Sequence, residues 1–172
     1  NQASALSNLS LTYQQLGLWN EAKNAIANSI SLLNTDSSPL ILAQILNIQG
    51  FLELSLGQPE NALDTLKKAA AAYEKAGDRA GIIANLINQS QAMQALGFYR
   101  RAANILEQVE TNLLASPDSI IKVTGLLNLG NTLRVVGNLD KSQQVLQQGL
   151  EIAQKLGLKG VAASIQLSLG NT

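Results

Sequence analysis

The chain contains no cysteine and no histidine, and these absences remove most of the side chains that proteins use for metal and nucleophilic chemistry. Without them there is no thiolate nucleophile, no imidazole base, no disulfide, and no zinc or iron–sulfur site of the usual ligand types. No pair of carboxylates converges in the sequence, and no glycine-rich phosphate loop follows a strand. We therefore predict a non-enzymatic protein with no catalytic residue, no cofactor and no metal.

Charge and aromatic side chains are also scarce, at 14% and 3% of the chain, whereas about 25% of a typical domain is charged. The 12 basic and 12 acidic residues give zero net charge, which argues against a nucleic-acid partner because phosphates must be neutralised by Lys and Arg. The uncharged residues 1–20 carry too many Ser, Asn and Gln for membrane insertion. Absent cysteine favours a cytoplasmic location but does not exclude export.

Amides take the place of the missing charge, with 16 Asn and 16 Gln beside 31 Leu. Amide side chains solvate a surface without creating a long-range electrostatic field. A surface of this kind suits contact with a protein or peptide, which is the partner that we predict. Its identity is not encoded in the composition.

The chain repeats itself every 40 residues. A glycine recurs once in each repeat, at Gly17, Gly57, Gly97 and Gly137, and we call these four residues the marker glycines. A small residue recurs five positions after and seven positions before each marker glycine, and a leucine recurs eleven positions before it. The dipeptides that contain the marker glycines are Leu16-Gly17, Leu56-Gly57, Leu96-Gly97 and Val136-Gly137. We interpret each glycine as a left-handed residue that ends one helix before the next begins.

Each repeat is therefore predicted to be two antiparallel helices, and the chain to be all-α, a right-handed α-solenoid of about four repeats plus one extra helix. The first helices are predicted at about 3–15, 39–55, 79–95, 118–135 and 159–171, and the second helices at about 19–33, 59–76, 98–114 and 138–156. We expect one repeat domain, 1–172, which is a segment of a longer protein. Its repeats span about 1–36, 37–77, 78–116 and 117–157, with a partial repeat at 158–172.

The pattern Leu9-x-x-x-Tyr13-x-x-x-Gly17-x-x-x-x-Ala22 resembles the tetratricopeptide repeat (TPR). The period exceeds the common 34 residues of that family, and so resembles its longer variants. The run from Ala5 to Ala22 is also similar to repeat regions of cyanobacterial proteins that carry a CHAT domain, a caspase-like protease fold. That resemblance implies a scaffold segment separated from its catalytic part.

In TPR proteins the first helix of each pair lines a concave groove, so the resemblance implies that the first helices here present the binding face. Positions nine, six and three before each marker glycine would face the groove. Amides there can donate to and accept from the backbone of an extended peptide, and Phe51, with Ile48 and Leu54, would contact an apolar anchor. The candidate groove residues are Asn8, Asn47, Phe51, Asn88, Gln91, Gln94, Asn128, Asn131 and Arg134.

A second explanation of the same positions stays open, in which the amides only solvate the helices and the apolar residues pack against a neighbouring helix. Most charged residues lie on the second helices, and Arg134 is the only cation at the three groove positions. A clamp for a terminal carboxylate, which needs several cations, is therefore not expected. We predict that Trp19, Tyr73, Phe98 and Tyr99 pack between repeats.

Two functions are consistent with this sequence. The first is a protein-interaction scaffold that binds a peptide or protein segment in the groove. The second is a structural or regulatory spacer that packs against other domains of its own full-length chain, and the resemblance suggests a CHAT protease-like domain as one of them. For the second, we expect the final helix to expose Val161, Leu167 and Leu169, and the isolated chain to self-associate.

Overall fold

The structure is a computed structural model that describes residues 2–34 and 37–170. Nine α-helices occur within these residues, joined by short turns, and their positions follow the predicted ones closely. Asn171, at the end of the predicted final helix, lies outside the described residues. The helices are α1 Gln2–Gln15, α2 Trp19–Ser31, α3 Pro39–Ser55, α4 Pro59–Ala76, α5 Arg79–Ala95, α6 Tyr99–Ala115, α7 Ile120–Val135, α8 Leu139–Lys155 and α9 Lys159–Gly170.

Glycine and proline determine where many of the helices begin and end. The four marker glycines have φ between 71° and 86°, the left-handed conformation that a side chain with Cβ disfavours. Pro39 and Pro59 occupy the first positions of α3 and α4, where a missing N–H costs no hydrogen bond. Helix α7 begins two residues later than predicted, because the Ser119 side chain accepts a hydrogen bond from the Lys122 backbone N–H and caps the helix.

The chain divides into two compact units, Asn1–Ala92 and Met93–Thr172. In the first unit α1 pairs with α2 and α3 pairs with α4, and α3 also contacts α1 and α2. In the second unit α7 pairs with α8 and contacts α6, and α9 packs against α8 and α7. Stacked helix pairs of this kind confirm the predicted all-α solenoid class. The expectation of one domain over 1–172 stays a prediction.

Helices of a pair approach closely at the small residues of the repeat. The Ser10 hydroxyl donates to the backbone oxygen of Ala22 at 2.8 Å, and the Ser142 hydroxyl donates to that of Gly130 at 2.7 Å. A Cβ added at Gly50 would lie 2.6 Å from Cγ of Leu66. These contacts leave no room for a larger side chain, so the small residues at these repeat positions set the distance between the two helices.

The last helix is better packed than the sequence led us to expect. Ile165 is fully buried beside Val123 and Leu146, and both Val161 and Leu169 pack against the same cluster. The predicted exposure of Val161 and Leu169 is therefore wrong, because the face of α9 that carries them contacts α7 and α8. Leu167 is 71% exposed, as predicted. None of the helices among the described residues has the length and apolar content needed to cross a membrane.

The close approach predicts that Gly50→Ala and Gly130→Ala each lower the free energy of unfolding by about 1–3 kcal/mol, the usual cost of overpacking. The added methyl would meet Leu66 in one case and Leu146, 2.5 Å away, in the other, and both leucines are fully buried. Urea denaturation followed by circular dichroism measures the change.

Gly160→Ala is the matched control, since a Cβ there meets no atom within 4 Å. We expect its free energy of unfolding to be unchanged or slightly raised, because alanine favours a helix more than glycine does. Equal destabilisation by Gly160→Ala and Gly50→Ala would contradict the packing explanation.

Candidate functional site

All nine candidate groove residues lie on first helices of the repeats, and none is fully buried. Asn8 on α1 is exposed, and the other eight are partly exposed. The first unit contains Asn8, Asn47, Phe51, Asn88 and Gln91. The second unit contains Gln94, Asn128, Asn131 and Arg134. The two sets differ in their hydrogen bonding.

In the first unit an amide network joins two repeats. The Oδ1 atom of Asn47 on α3 accepts from Nδ2 of Asn85 at 3.0 Å and from Nδ2 of Asn88 at 3.3 Å, both on α5. Asn85 is completely buried, and its own Oδ1 accepts from Nε2 of Gln89 at 2.7 Å. The acceptor oxygen of Asn47 is thus used within the protein. Asn85 and Gln89 were not among the site residues predicted from the sequence, although their spacing of four places them on one helix face.

In the second unit the amides are not joined in this way. Nε2 of Gln94, Nδ2 of Asn128 and Nε of Arg134 are inaccessible to solvent and have no hydrogen-bond partner in the described part of the chain. A buried donor without a partner costs roughly 1–3 kcal/mol. Buried atoms of the same kind occur on Gln14 and Glu53 in the first unit and on Gln148 of α8, so they are not confined to the candidate residues.

The apolar candidates of the first unit divide between packing and exposure. Ile48 packs against the core cluster that contains Ile45 and Leu52, and Leu54 packs against Leu66. Both residues therefore have the packing role that was the alternative to ligand contact at these positions. The ring of Phe51, three residues from each, is partly exposed and is the member of this group that can contact a ligand.

The cation Lys122 on α7 has a structural role. Its Nζ donates to the backbone oxygens of Leu114 at 3.0 Å and Ser116 at 2.9 Å, at the end of α6, and is 3.3 Å from Asp118. Hydrogen bonds from Lys155, 2.7 Å away, and from Lys122 hold the pKa of Asp118 below its ordinary value. Lys122 thus joins α6 to α7 and is not available to a ligand.

Three of the four aromatic side chains that we expected to pack between repeats are exposed. Trp19, Phe98 and Tyr99 are 40%, 45% and 39% exposed, so the packing prediction is wrong for them. Each stands at the beginning of a second helix, where the turn projects it outward. Tyr73 is buried, and burial, assisted by the charge of Asp78, raises its pKa to about 12.

Two of these exposed aromatics line an open groove in the second unit, with a volume of about 540 Å³. None of the residues that line this groove was predicted as a site residue from the sequence. No cluster of three or more acidic side chains able to hold a metal ion occurs in residues 2–34 and 37–170. The groove is lined by Gly97, Phe98, Tyr99, Arg100, Arg101, Val135 and Val136.

Comparison with known proteins supports the repeat architecture. The sequence profile of the tetratricopeptide repeat family matches residues 2–32. The crystal structure of BtubC (BKLC) from P. vanneervenii is similar to this chain with a TM-score of 0.69 and 17% sequence identity, covering 98% of this chain and 72% of that one. No curated protein matches the sequence. The chain is therefore a TPR-like helical array.

The two kinds of amide predict opposite effects on stability. Asn85→Ala breaks the network and leaves Gln89 and part of Asn47 without partners, so it should lower the free energy of unfolding by about 1–3 kcal/mol. Asn128→Ala removes a donor that has no partner, so it should leave stability unchanged or raise it slightly. Urea denaturation measures both, with the exposed Asn112→Ala as control. Strong destabilisation by Asn128→Ala would show that this amide has a structural partner.

Proposed function

We propose that this chain is a non-enzymatic protein-interaction scaffold that binds an extended peptide or protein segment through the polar side chains of its first helices. TPR repeats generally mediate protein–protein interaction. The observation that carries the proposal is the row of partly exposed polar side chains on the first helix α7, formed by Asn128, Asn131 and Arg134 at intervals of three residues. Polar side chains aligned on one helix face can hydrogen-bond a ligand.

The chemistry of these side chains suits a peptide backbone. An extended peptide presents a free N–H and a free C=O at nearly every residue, and an amide can serve either one. Asn128 and Asn131 stand three residues apart on α7, one turn from each other, and Arg134 adds one charge a turn further on. With so little charge the association should depend only weakly on salt. In the first unit, Phe51 would supply an apolar contact for an anchor side chain.

The proposal can be tested with a phage-displayed library of random linear peptides selected on the wild-type chain. We expect Asn128→Ala with Asn131→Ala to weaken binding of the selected peptides by about tenfold or more, because each lost polar contact costs about 0.5–1.5 kcal/mol. Adding Gln91→Ala extends the test to the first unit, because Asn88 is already used in the amide network. Fluorescence anisotropy with the synthesised peptides measures the affinity.

The matched control replaces three exposed amides on second helices, Gln108, Asn112 and Gln143, by alanine. This variant loses as many amides but should bind the peptides as the wild type does. Circular dichroism verifies that each variant is folded. Unchanged affinity of the Asn128→Ala, Asn131→Ala variant for every selected peptide would refute binding through the first helices.

A second candidate function is a spacer whose outer faces pack against other parts of a longer chain or against a second copy. It is favoured by the face of α9 that carries Leu167, which is 71% exposed. A Cβ at Gly170 meets no atom within 4 Å, whereas its counterpart one repeat earlier, Gly130, is crowded by Leu146. A CHAT-type domain is the particular neighbour that the resemblance of residues 5–22 suggests.

This second candidate predicts self-association of the isolated chain. Multi-angle light scattering should show a mass that rises with concentration, and Leu167→Ser should reduce the rise because it removes the exposed apolar contact. Leu139→Ser, at an exposed leucine of α8, is the matched control. A wild-type chain that stays monomeric over the whole concentration range would remove the support for self-association.

A further inference from the structure

The open groove of the second unit has a chemistry different from that of the first-helix positions. We call it the Phe98 groove and define it by the side chains of Phe98, Tyr99, Arg100, Arg101, Val135 and Val136. It lies where α6 begins and α7 ends, and its volume of about 540 Å³ is in the range of ligand pockets. Of the described residues that line it, two are arginines and none is acidic.

The two arginines have no ion-pair partner within residues 2–34 and 37–170. The positions three and four residues after them on α6 hold Ala103, Asn104 and Ile105, so no carboxylate stands at helical pairing distance. The next acidic side chains of α6, Glu107 and Glu110, both bind Lys141 at 3.1 Å. Both guanidinium groups are exposed and available to a partner.

The fold does not account for cations at this place. The first turns of α2, α4 and α8 contain the acidic residues Glu21, Glu60 and Asp140, whereas the first turn of α6 contains none. An acidic side chain is favourable at a helix N-terminus and a basic one is unfavourable, because the backbone N–H groups there carry partial positive charge. The first turn of α6 therefore carries two basic residues and no acidic one, unlike the first turns of α2, α4 and α8, and this arrangement of charge lowers the stability of the helix.

The apolar part of the groove departs from the repeat as well. Val135 is 48% exposed, whereas the equivalent positions of the preceding repeats hold Gln15, Ser55 and Ala95. Phe98 is 45% exposed, and the guanidinium carbon of Arg101 lies 5.2 Å from its ring centroid. At this distance the ring attracts and orients the cation. An oriented cation thus stands beside exposed apolar surface.

We propose that the Phe98 groove docks a protein segment in which a carboxylate side chain lies next to a large apolar side chain. Arg100 and Arg101 would bind the carboxylate, for which the guanidinium fork is suited, and Phe98 and Val135 would contact the apolar neighbour. Charge complementarity selects an acidic partner over a basic or neutral one. Anionic membranes are recognised by clusters of about four to eight cations, so two arginines in a concave groove favour a peptide.

The experiment uses the random peptide library on the wild-type chain, with prior depletion on an Arg100→Gln, Arg101→Gln variant. We expect the surviving peptides to contain Asp or Glu beside Leu, Phe, Ile or Trp. Their affinity for the Arg100→Gln, Arg101→Gln variant should fall by about tenfold or more, and Phe98→Ala with Val135→Ser should weaken them as well. Raising the salt concentration should reduce the affinity.

The matched control is Lys67→Gln with Lys68→Gln, which removes two adjacent exposed cations from α4 and changes the net charge equally. It should alter the affinity less than about twofold. A further variant, Arg100→Glu, restores the acidic first turn of the other second helices. We expect it to raise or preserve the melting temperature while abolishing binding, which separates loss of binding from loss of folding.

Three results would overturn the proposal. The first is a selection that yields no acidic peptides after depletion. The second is equal weakening by the α4 control variant, which would show that only the overall field matters. The third is binding to phosphatidylserine vesicles that depends on Arg100 and Arg101 without any such peptide, which would assign the groove to a membrane. None of these bears on peptides that depend on Asn128 and Asn131, so the first-helix proposal is tested separately.

Discussion

The contact between the two helices of a repeat, made through small residues, is the constraint on which the rest of this structure depends. Ala22, Ala62, Ala102 and Ser142 have no exposed surface, and hydroxyls from Ser10 and Ser142 bind backbone oxygens of the facing helix. Because the backbones are this close, the leucines beside the contact become the core. The remaining faces of the first helices are left to solvent or to a ligand.

The polar side chains on those faces have two different roles. Asn47, Asn85, Asn88 and Gln89 satisfy one another across two repeats, so they specify how the repeats are joined. Asn128, Asn131 and Arg134 are partly exposed and lie outside this network, so they are the side chains that a ligand can contact. One amide-rich composition thus serves both the assembly of the array and its surface, and only the hydrogen-bond partners distinguish the two.

Three basic and three acidic side chains of the described residues form ion pairs. Asp118 joins Lys122 and Lys155, and Lys141 joins Glu107 and Glu110. For Lys141, partial burial lowers the pKa, but the hydrogen bonds with the two glutamates outweigh it and the net pKa is raised. Arg100 and Arg101 belong to the larger group of basic residues that form no ion pair among the described residues. They differ from the adjacent cations Lys67 and Lys68 because the exposed side chains of Phe98 and Val135 lie in the same groove.

The helix pairs, their turns and the all-α class could be predicted from the sequence, because they follow from local rules: glycine at positive φ, proline at a first turn, and apolar spacing of three and four. The sequence also placed every candidate groove residue on a first helix. The tertiary structure alone decided which amides are used internally, that Val161 and Leu169 are covered, and that Phe98 and Tyr99 are exposed. These outcomes depend on side-chain neighbours distant in the chain, such as Asn47 and Asn85, which a periodic pattern does not specify.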